Sequence, residues 1–440
     1  MEGKLKIVNP QAGGIDIGAE KIFVCANDEG YKAFYTFTQD LHEAARYLKE
    51  QNVTSVAMEA TGVYWLPVKD ILEANDITVV VVRAGDAKQL PGRDKTDGED
   101  CQWIRKLHQH GLLRPCLVPE QSIHELRLYV RTRKDHIETA AQHIQHMQKA
   151  LTLMNIRLHQ VISQIQGASG IRIIEAILSG ERNANQLVLL CDAQILKKKK
   201  EEVIKSLQGN YKPECLFALE QAYRAWNFYH QLIAECDKQI EAWLTKNNHN
   251  KQQPENITRA KAIRHHKPNV ENLHLKMITL TNGNDTSQLP GLTDYSVMQI
   301  IAETGLDFTR WKTIKHFVSW LKLTPIKNHS GKTKKTFRSH QHTYAGQIFR
   351  EAANSLLKSK HIGLGSFARK LRSRKGPQIA IKATARKLAE MFYNVMTKGL
   401  KYVEKGIESY ENKVRETQLL KLDKLAKSLG VSLSSNLAVH

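Results

Sequence analysis

The chain has 440 residues, 41% of them hydrophobic and 25% charged, with a formal net charge of +21. That length allows roughly two to four domains with sizeable cores, and the composition excludes a disordered or collagen-like chain. So large a positive charge calls for a polyanionic partner, DNA or RNA before a membrane surface. No stretch approaches the roughly 18 apolar residues of a membrane span, and the N-terminus has no apolar signal region. Six cysteines (Cys25, Cys101, Cys116, Cys191, Cys215 and Cys236) are scattered without a CxxC pair. This argues against a zinc site and a disulfide framework and for a reducing cytoplasm.

In chain order, Gly14 to Gly18 begins a strand, Lys21 to Ala26 a second and Tyr31 to Phe37 a third, with turn chemistry at Asn27-Asp28-Glu29-Gly30. The pattern then changes. Leu41 to Glu50 and Val63 to Ala74 read as helices, Val53 to Met58 and Ile77 to Val82 as buried strands. A meander followed by βαβα predicts a mixed sheet flanked by helices, of the ribonuclease-H-like class.

The stretch 94–100 places four carboxylates, Asp94, Asp97, Glu99 and Asp100, in seven positions of a basic chain. The helix Cys101 to His110 follows, and Asp97 and Asp100, three apart, share a face of its first turn. The acids read either as a cap and a dipole partner or as ligands for a divalent cation that relieves their repulsion. Asp16 on the first strand and Glu59 at the end of the fourth have ordinary readings as a turn former and a helix-cap partner. Ligands of such sheets bind beyond the carboxyl ends of parallel strands, however, where these acids would meet the first turn of the helix.

From Pro119 to about Lys246 the chain reads as helical. Apolar residues from Ile123 to Ile162 recur at threes, fours and sevens, as in a long helix or a coiled-coil hairpin, and Ser122 with Glu125 reads as a capping box. A second long helix spans about Glu214 to Thr245. This part is either plain core packing or a dimerisation arm. Residues 247–272 read as a polar linker. Leu289-Pro290-Gly291 before a helix from Tyr295 to Thr304 resembles a helix-hairpin-helix turn, whose amides can meet a phosphate. Helices are expected over Ala345 to Leu357 and Ile379 to Tyr402, then a charged tail from Gly406. Residues 331–400 hold 16 Lys/Arg against 2 Glu and no Asp, a net of +14. That block reads as a nucleic-acid surface.

The ordered set Gly14-Ile-Asp-Ile-Gly18, Met58-Glu-Ala-Thr-Gly-Val-Tyr64, Lys95-Thr-Asp-Gly-Glu-Asp100, Leu289-Pro-Gly291, Ala302-Glu-Thr-Gly305, Trp320-Leu-Lys-Leu-Thr-Pro325 and Ser330-Gly-Lys332 resembles the DEDD-type insertion-sequence transposases. This group includes site-specific DNA invertases and bridge-RNA-guided recombinases, and the chain looks most like its longer members. The resemblance implies a RuvC-like domain over 1–118, a helical coiled-coil or dimerisation region with linker over 119–284, a mainly helical transposase domain over 285–400 and a charged tail over 401–440. It maps the catalytic, metal-holding quartet onto Asp16, Glu59, Asp97 and Asp100, with Asp94 and Glu99 as neighbours, and Mg²⁺ or Mn²⁺ as cofactor. It maps a nucleophilic serine onto Ser330, which by itself reads as a turn serine. Where many members carry a second glycine after the Ser-Gly pair, this chain has Lys332.

Lys332, Lys334, Lys335, Arg338 and Arg350 would hold backbone phosphates. The implied partners are double-stranded DNA at the element ends and target, a non-coding bridge RNA, and further copies of the chain in a dimer or tetramer, with no membrane. Carboxylates and serine would join in a composite site across subunits, in a bacterial or archaeal cytoplasm at the nucleoid. Two other readings stay open: a four-way-junction endonuclease that uses only carboxylates and metal, and a non-catalytic nucleic-acid-binding regulator.

Overall fold

The structure, a computed structural model, describes residues 6–60, 62–83, 97–249, 251–254, 257–330, 333–337, 342–359 and 363–430, without the side chains of 97, 326–330, 333–337, 403–411 and 413–414. The chain divides into two compact units, Met1–Val118 and Pro119–His440.

The first unit is a five-stranded sheet with helices. Its strands are β1 (Ala12–Ile17), β2 (Lys21–Cys25), β3 (Lys32–Tyr35), β4 (Ser55–Glu59) and β5 (Thr78–Val82), in the order β3-β2-β1-β4-β5. The first three form an antiparallel meander, while β4 and β5 add in parallel through α1 (Thr38–Glu50) and α2 (Trp65–Ala74). One face of the sheet buries Ile15, Ile17, Val56, Met58 and Val81 against Leu41, Ala44, Leu48, Val68 and Leu72 of these helices. Crossover helices cover parallel strands in this way because such strands are apolar on both faces. The other face takes α3 (Asp97–Gln109), which packs Ile104 and Leu107 on Ala57. The mixed α/β unit is consistent with a ribonuclease-H-like domain.

The second unit is mostly helical. α4 (Gln121–Leu153) and α9 (Pro213–Asn248) pack along their length as a hairpin. At its far end α5 (Leu158–Val161), α6 (Ala168–Leu178), α7 (Ala184–Leu187) and α8 (Ala193–Ser206) enclose an apolar cluster with Met147, Leu151, Leu207 and Leu219. The seam also buries one ion pair, in which Arg133 Nε donates to Asp237 Oδ1 at 2.5 Å. The Tyr295 hydroxyl accepts from the same guanidinium at 3.0 Å, and the Asn269 amide donates to Asp237 at 2.9 Å. The pair thus fixes the hairpin against the helices that follow, and losing either member would strand a buried charge.

Those helices are α10 (Leu273–Leu280), α11 (Asp294–Thr304), α12 (Ile314–Trp320), α13 (Tyr344–Leu356), α14 (Gly363–Lys375), α15 (Pro377–Lys398) and α16 (Leu400–Ser428). Phe308, Trp311, Phe317, Phe349, Phe392 and Tyr393 form their aromatic core. Between α12 and α13 stands a two-stranded hairpin, β6 (Ile326–Ser330) with β7 (Thr333–Phe337).

Several local readings need correction. Ser122 and Glu125 form no capping box: α4 begins at Gln121 behind Glu120, which makes no side-chain cap. Ser122 lies inside the helix, where its carbonyl accepts from Trp243 Nε1 at 2.7 Å. The apolar repeat to Ile162 is not one helix, because the chain turns through Asn155 at φ 56° before α5. Gly399, at φ 84°, likewise separates α15 from α16, since the left-handed backbone ends a helix. Neither the β6–β7 hairpin nor α14 was foreseen.

Candidate active site and nucleic-acid interface

Strand alternation and one close approach build the acidic site. Ile15 and Ile17 enter the core, so Gly14 and Asp16 point to the opposite face, the one α3 covers. A Cβ at Gly14 would stand 2.2 Å from the Cys101 carbonyl oxygen and 2.5 Å from the Arg105 nitrogen. Only glycine lets the helix backbone lie so close to the strand. On β4, Val56 and Met58 enter the core while Ala57 and Glu59 turn towards α3. Ile15 pairs with Met58 in the parallel register, so the next residues, Asp16 and Glu59, sit side by side at the carboxyl ends of neighbouring strands. Glu59 is 3% exposed and Asp16 half-buried.

The helix α3 brings further acids to the same end. It runs opposite to the strands: near its C-terminus His108 shares a 2.8 Å hydrogen bond with Ser55 at the start of β4. Its first turn therefore lies towards the strand ends, and the Asp16 charge acts on the Cys101 thiol there. Asp97, Asp100, Cys101, Ile104 and His108 follow at threes and fours, which is one helix face. Asp97 opens the helix, and its side chain lies outside the described residues. Arg105, buried, reaches Asp28 in the β2–β3 turn. Gly98 leaves room for the Tyr31 ring, which a Cβ would meet at 2.0 Å.

Three of the expected acids thus converge from β1, β4 and α3, with the fourth position opening the helix. Their donors are all oxygen, which suits a hard divalent cation. The one nearby sulfur does not compete. Its hydrogen bond with Cys25, its burial and the neighbouring negative charges push the Cys101 thiol far above its ordinary pKa. The protonated form is a poor ligand. Asp94 lies outside the described residues, and Glu99 falls on the first turn of α3.

Ser330 ends β6 and pairs with Thr333, the last rung before the turn at Gly331-Lys332. Lys334 pairs with His329 and Lys335 with Asn328. Lys332 and Arg338 lie outside the described residues. Arg350, on α13, donates to the Lys322 carbonyl at 3.5 Å and to His342 Nδ1.

Sequence reasoning missed one cluster. His274 of α10, Asp285 and Asp294 at the start of α11 present ligand-type atoms within 4.8 Å of one another. His274 Nδ1 faces Asp294 Oδ1 at 2.9 Å, and Nε2 faces the Thr258 carbonyl at 2.9 Å. Both ring nitrogens meet acceptors, so the ring sits as imidazolium with no lone pair for a metal. Burial opposes that charge, yet the Asp294 hydrogen bond and carboxylate outweigh it and raise the His274 pKa. Asp285 accepts from the Ser287 amide at 3.0 Å and from Gln288 at 2.9 Å. Only its cap pattern, Asp285-Thr286-Ser287, was legible beforehand. The trio joins residues near 258 to α10 and α11, and is an ion-pair network rather than a metal centre.

Two family models match the chain. One, a DEDD-type model described as "Transposase", covers residues 13–156, from β1 through α3 into α4. The other, "Transposase IS116/IS110/IS902 family", covers residues 286–363, from before α11 to the start of α14. The chain belongs to the IS110 family of DEDD transposases. The first match spans Asp16, Glu59, Asp97 and Asp100, and the second spans Ser330 and Arg350. No curated protein matches the chain. As an IS110-family transposase it is an enzyme that acts on DNA in transposition and recombination. No helix among the described residues is long and apolar enough to cross a membrane.

Proposed function

We propose that this transposase excises and inserts its element by strand exchange, with Asp16, Glu59, Asp97 and Asp100 holding Mg²⁺ or Mn²⁺ in a RuvC-like site and Ser330 as nucleophile. The observation that carries the reading is the side-by-side placement of Asp16 and Glu59 on the sheet face crossed by α3, whose first turn carries Asp97 and Asp100. When bound, the metal would supply charge stabilisation for the attacking and leaving oxygens of a phosphodiester.

Ser330 would supply the covalent step. Its Oγ attacks a backbone phosphorus, the bond to the leaving deoxyribose oxygen breaks, and the ester energy is kept in a phosphoserine link. A DNA hydroxyl then attacks that link, joins the new strand and restores the serine. Lys332, Lys334, Lys335, Arg338 and Arg350 would hold phosphates beside it. The net charge of +21 supports polyanionic partners, which we take as duplex DNA at the element ends and target and a bridge RNA as guide. Exposed Leu128, Phe217 and Phe228 on the α4–α9 hairpin support its use in homo-oligomer assembly.

Denaturing electrophoresis of labelled element-end DNA tests the serine. Wild type is expected to leave DNA covalently attached to protein, and Ser330→Ala to bind DNA without forming the adduct. An adduct that persists in Ser330→Ala moves the nucleophile to another residue. Clean cutting by wild type with no adduct favours the junction endonuclease.

A further inference from the structure

The block 331–400 crowds two cations where α13 packs against α15. Arg350 of α13 and Lys382 of α15 are both half-buried. Burial and then the Arg350 charge press the Lys382 ammonium below its ordinary pKa, and burial lowers Arg350 as well. The acids of the same two helices are engaged elsewhere. Glu351 accepts from Gln347 at 3.2 Å, and Glu390 accepts from Arg386 at 2.9 Å. Two desolvated like charges repel, and the repulsion turns into attraction once an anion sits between them. Arg350 is anchored for that task by its bonds to the Lys322 carbonyl and His342. Lys322, at φ 56°, starts the segment that leads through Pro325 into β6 and Ser330.

We propose that Arg350 and Lys382 form a cradle for one phosphodiester of bound nucleic acid, set beside the segment that leads to the Ser330 hairpin. The proposal rests on the nucleic-acid partner of the proposed function and adds Lys382 to its contacts. A guanidinium fork beside an ammonium suits a phosphate oxygen pair. The scarcity of acids in a stretch of net +14 favours a polyanion over an acidic peptide. DNA and RNA both carry this group, so the probes must separate them.

The test uses the full chain and the variant Lys382→Met, with Lys375→Met at the exposed end of α14 as control. Thermal unfolding is followed in chloride and in inorganic phosphate at matched ionic strength. Binding to a short DNA duplex and to an RNA duplex of the same sequence is followed across salt concentration. Without phosphate, Lys382→Met is expected to unfold at a higher temperature than wild type, because the repulsion is gone. Phosphate should raise the unfolding temperature of wild type and of Lys375→Met, and that of Lys382→Met by clearly less.

The log–log salt slope should become shallower in Lys382→Met by about 0.9, one phosphate's worth on duplex DNA. A change with DNA alone or RNA alone assigns the phosphodiester to that strand type. A Lys382→Met that unfolds earlier, keeps the full phosphate response and keeps both slopes overturns the cradle and makes Lys382 a packing residue. Strong duplex binding with that result would leave the proposed function standing. A phosphate response lost in Lys382→Met, in a chain that binds neither duplex, would instead keep the anion site and remove its nucleic-acid partner.

Discussion

The two units each gather acids, and to opposite ends. In the first, Asp16, Glu59 and Asp100 come from two strands and a helix onto one sheet face, with sheet and helix packing fixing their positions. In the second, Asp285 and Asp294 close around His274, whose two ring nitrogens are each met by an acceptor. The second group has the tighter spacing for a metal, yet its charge is balanced from within by an imidazolium. Spacing alone therefore does not make a metal site. The identity of the partners, and whether a cation is already built in, decides.

That contrast can be broken by replacing one acid in each group. Glu59→Gln and Asp16→Asn should cut strand exchange by at least about a hundredfold, the scale of losing one preorganised electrostatic group. Their unfolding transitions should stay near wild type. Asp294→Asn should do the reverse, with a loss of stability of about 1–3 kcal/mol from a weakened acceptor beside a buried cation. Chemical denaturation with a parallel activity assay separates the two patterns. Equal activity in Glu59→Gln and wild type would remove the acidic group from the chemistry.

The first group depends on how close α3 lies to β1. Gly14→Val places carbon against the Cys101 carbonyl and the Arg105 nitrogen, and overpacking of this kind costs about 1–3 kcal/mol. It should also lower activity, because α3 must shift and carry Asp97 and Asp100 away from Asp16 and Glu59. A Gly14→Val protein with wild-type activity would show that the helix position does not matter.

The smallest expected effect is a pH dependence of the second group. The His274 pKa is raised in the folded chain. Its stabilisation is therefore fully present below the unfolded value of about 6.5 and is lost as pH rises through the folded value. Asp285 is shifted the other way: burial opposes its charge, but the hydrogen bonds from Ser287, Thr258 and Gln288 prevail and lower its pKa. Its contribution is present above about pH 3.9 and is lost as pH falls through the lower folded value. Above neutrality the His274 slope cannot exceed about 1.4 kcal/mol per pH unit. Stability measured across pH in wild type and His274→Gln should differ by that component, and identical profiles would place the proton elsewhere.

The sequence by itself determined the strands and helices of the first unit, because period-two and helical patterns are local and each buries one face or stripe. It also marked Asp16, Glu59, Asp97 and Asp100 as candidates, since acids are conspicuous at strand and helix ends in a basic chain. The tertiary structure decided the rest. The meeting of Asp16 with Glu59 follows from the parallel register of β1 and β4, and the nearness of α3 from the missing side chain at Gly14. Neither is visible in a local pattern. The β6–β7 hairpin was hidden because its polar, lysine-rich strands carry no apolar alternation. The His274 network and the Arg350–Lys382 pair were hidden because their members, tens of residues apart or on separate helices, are joined only by long-range packing.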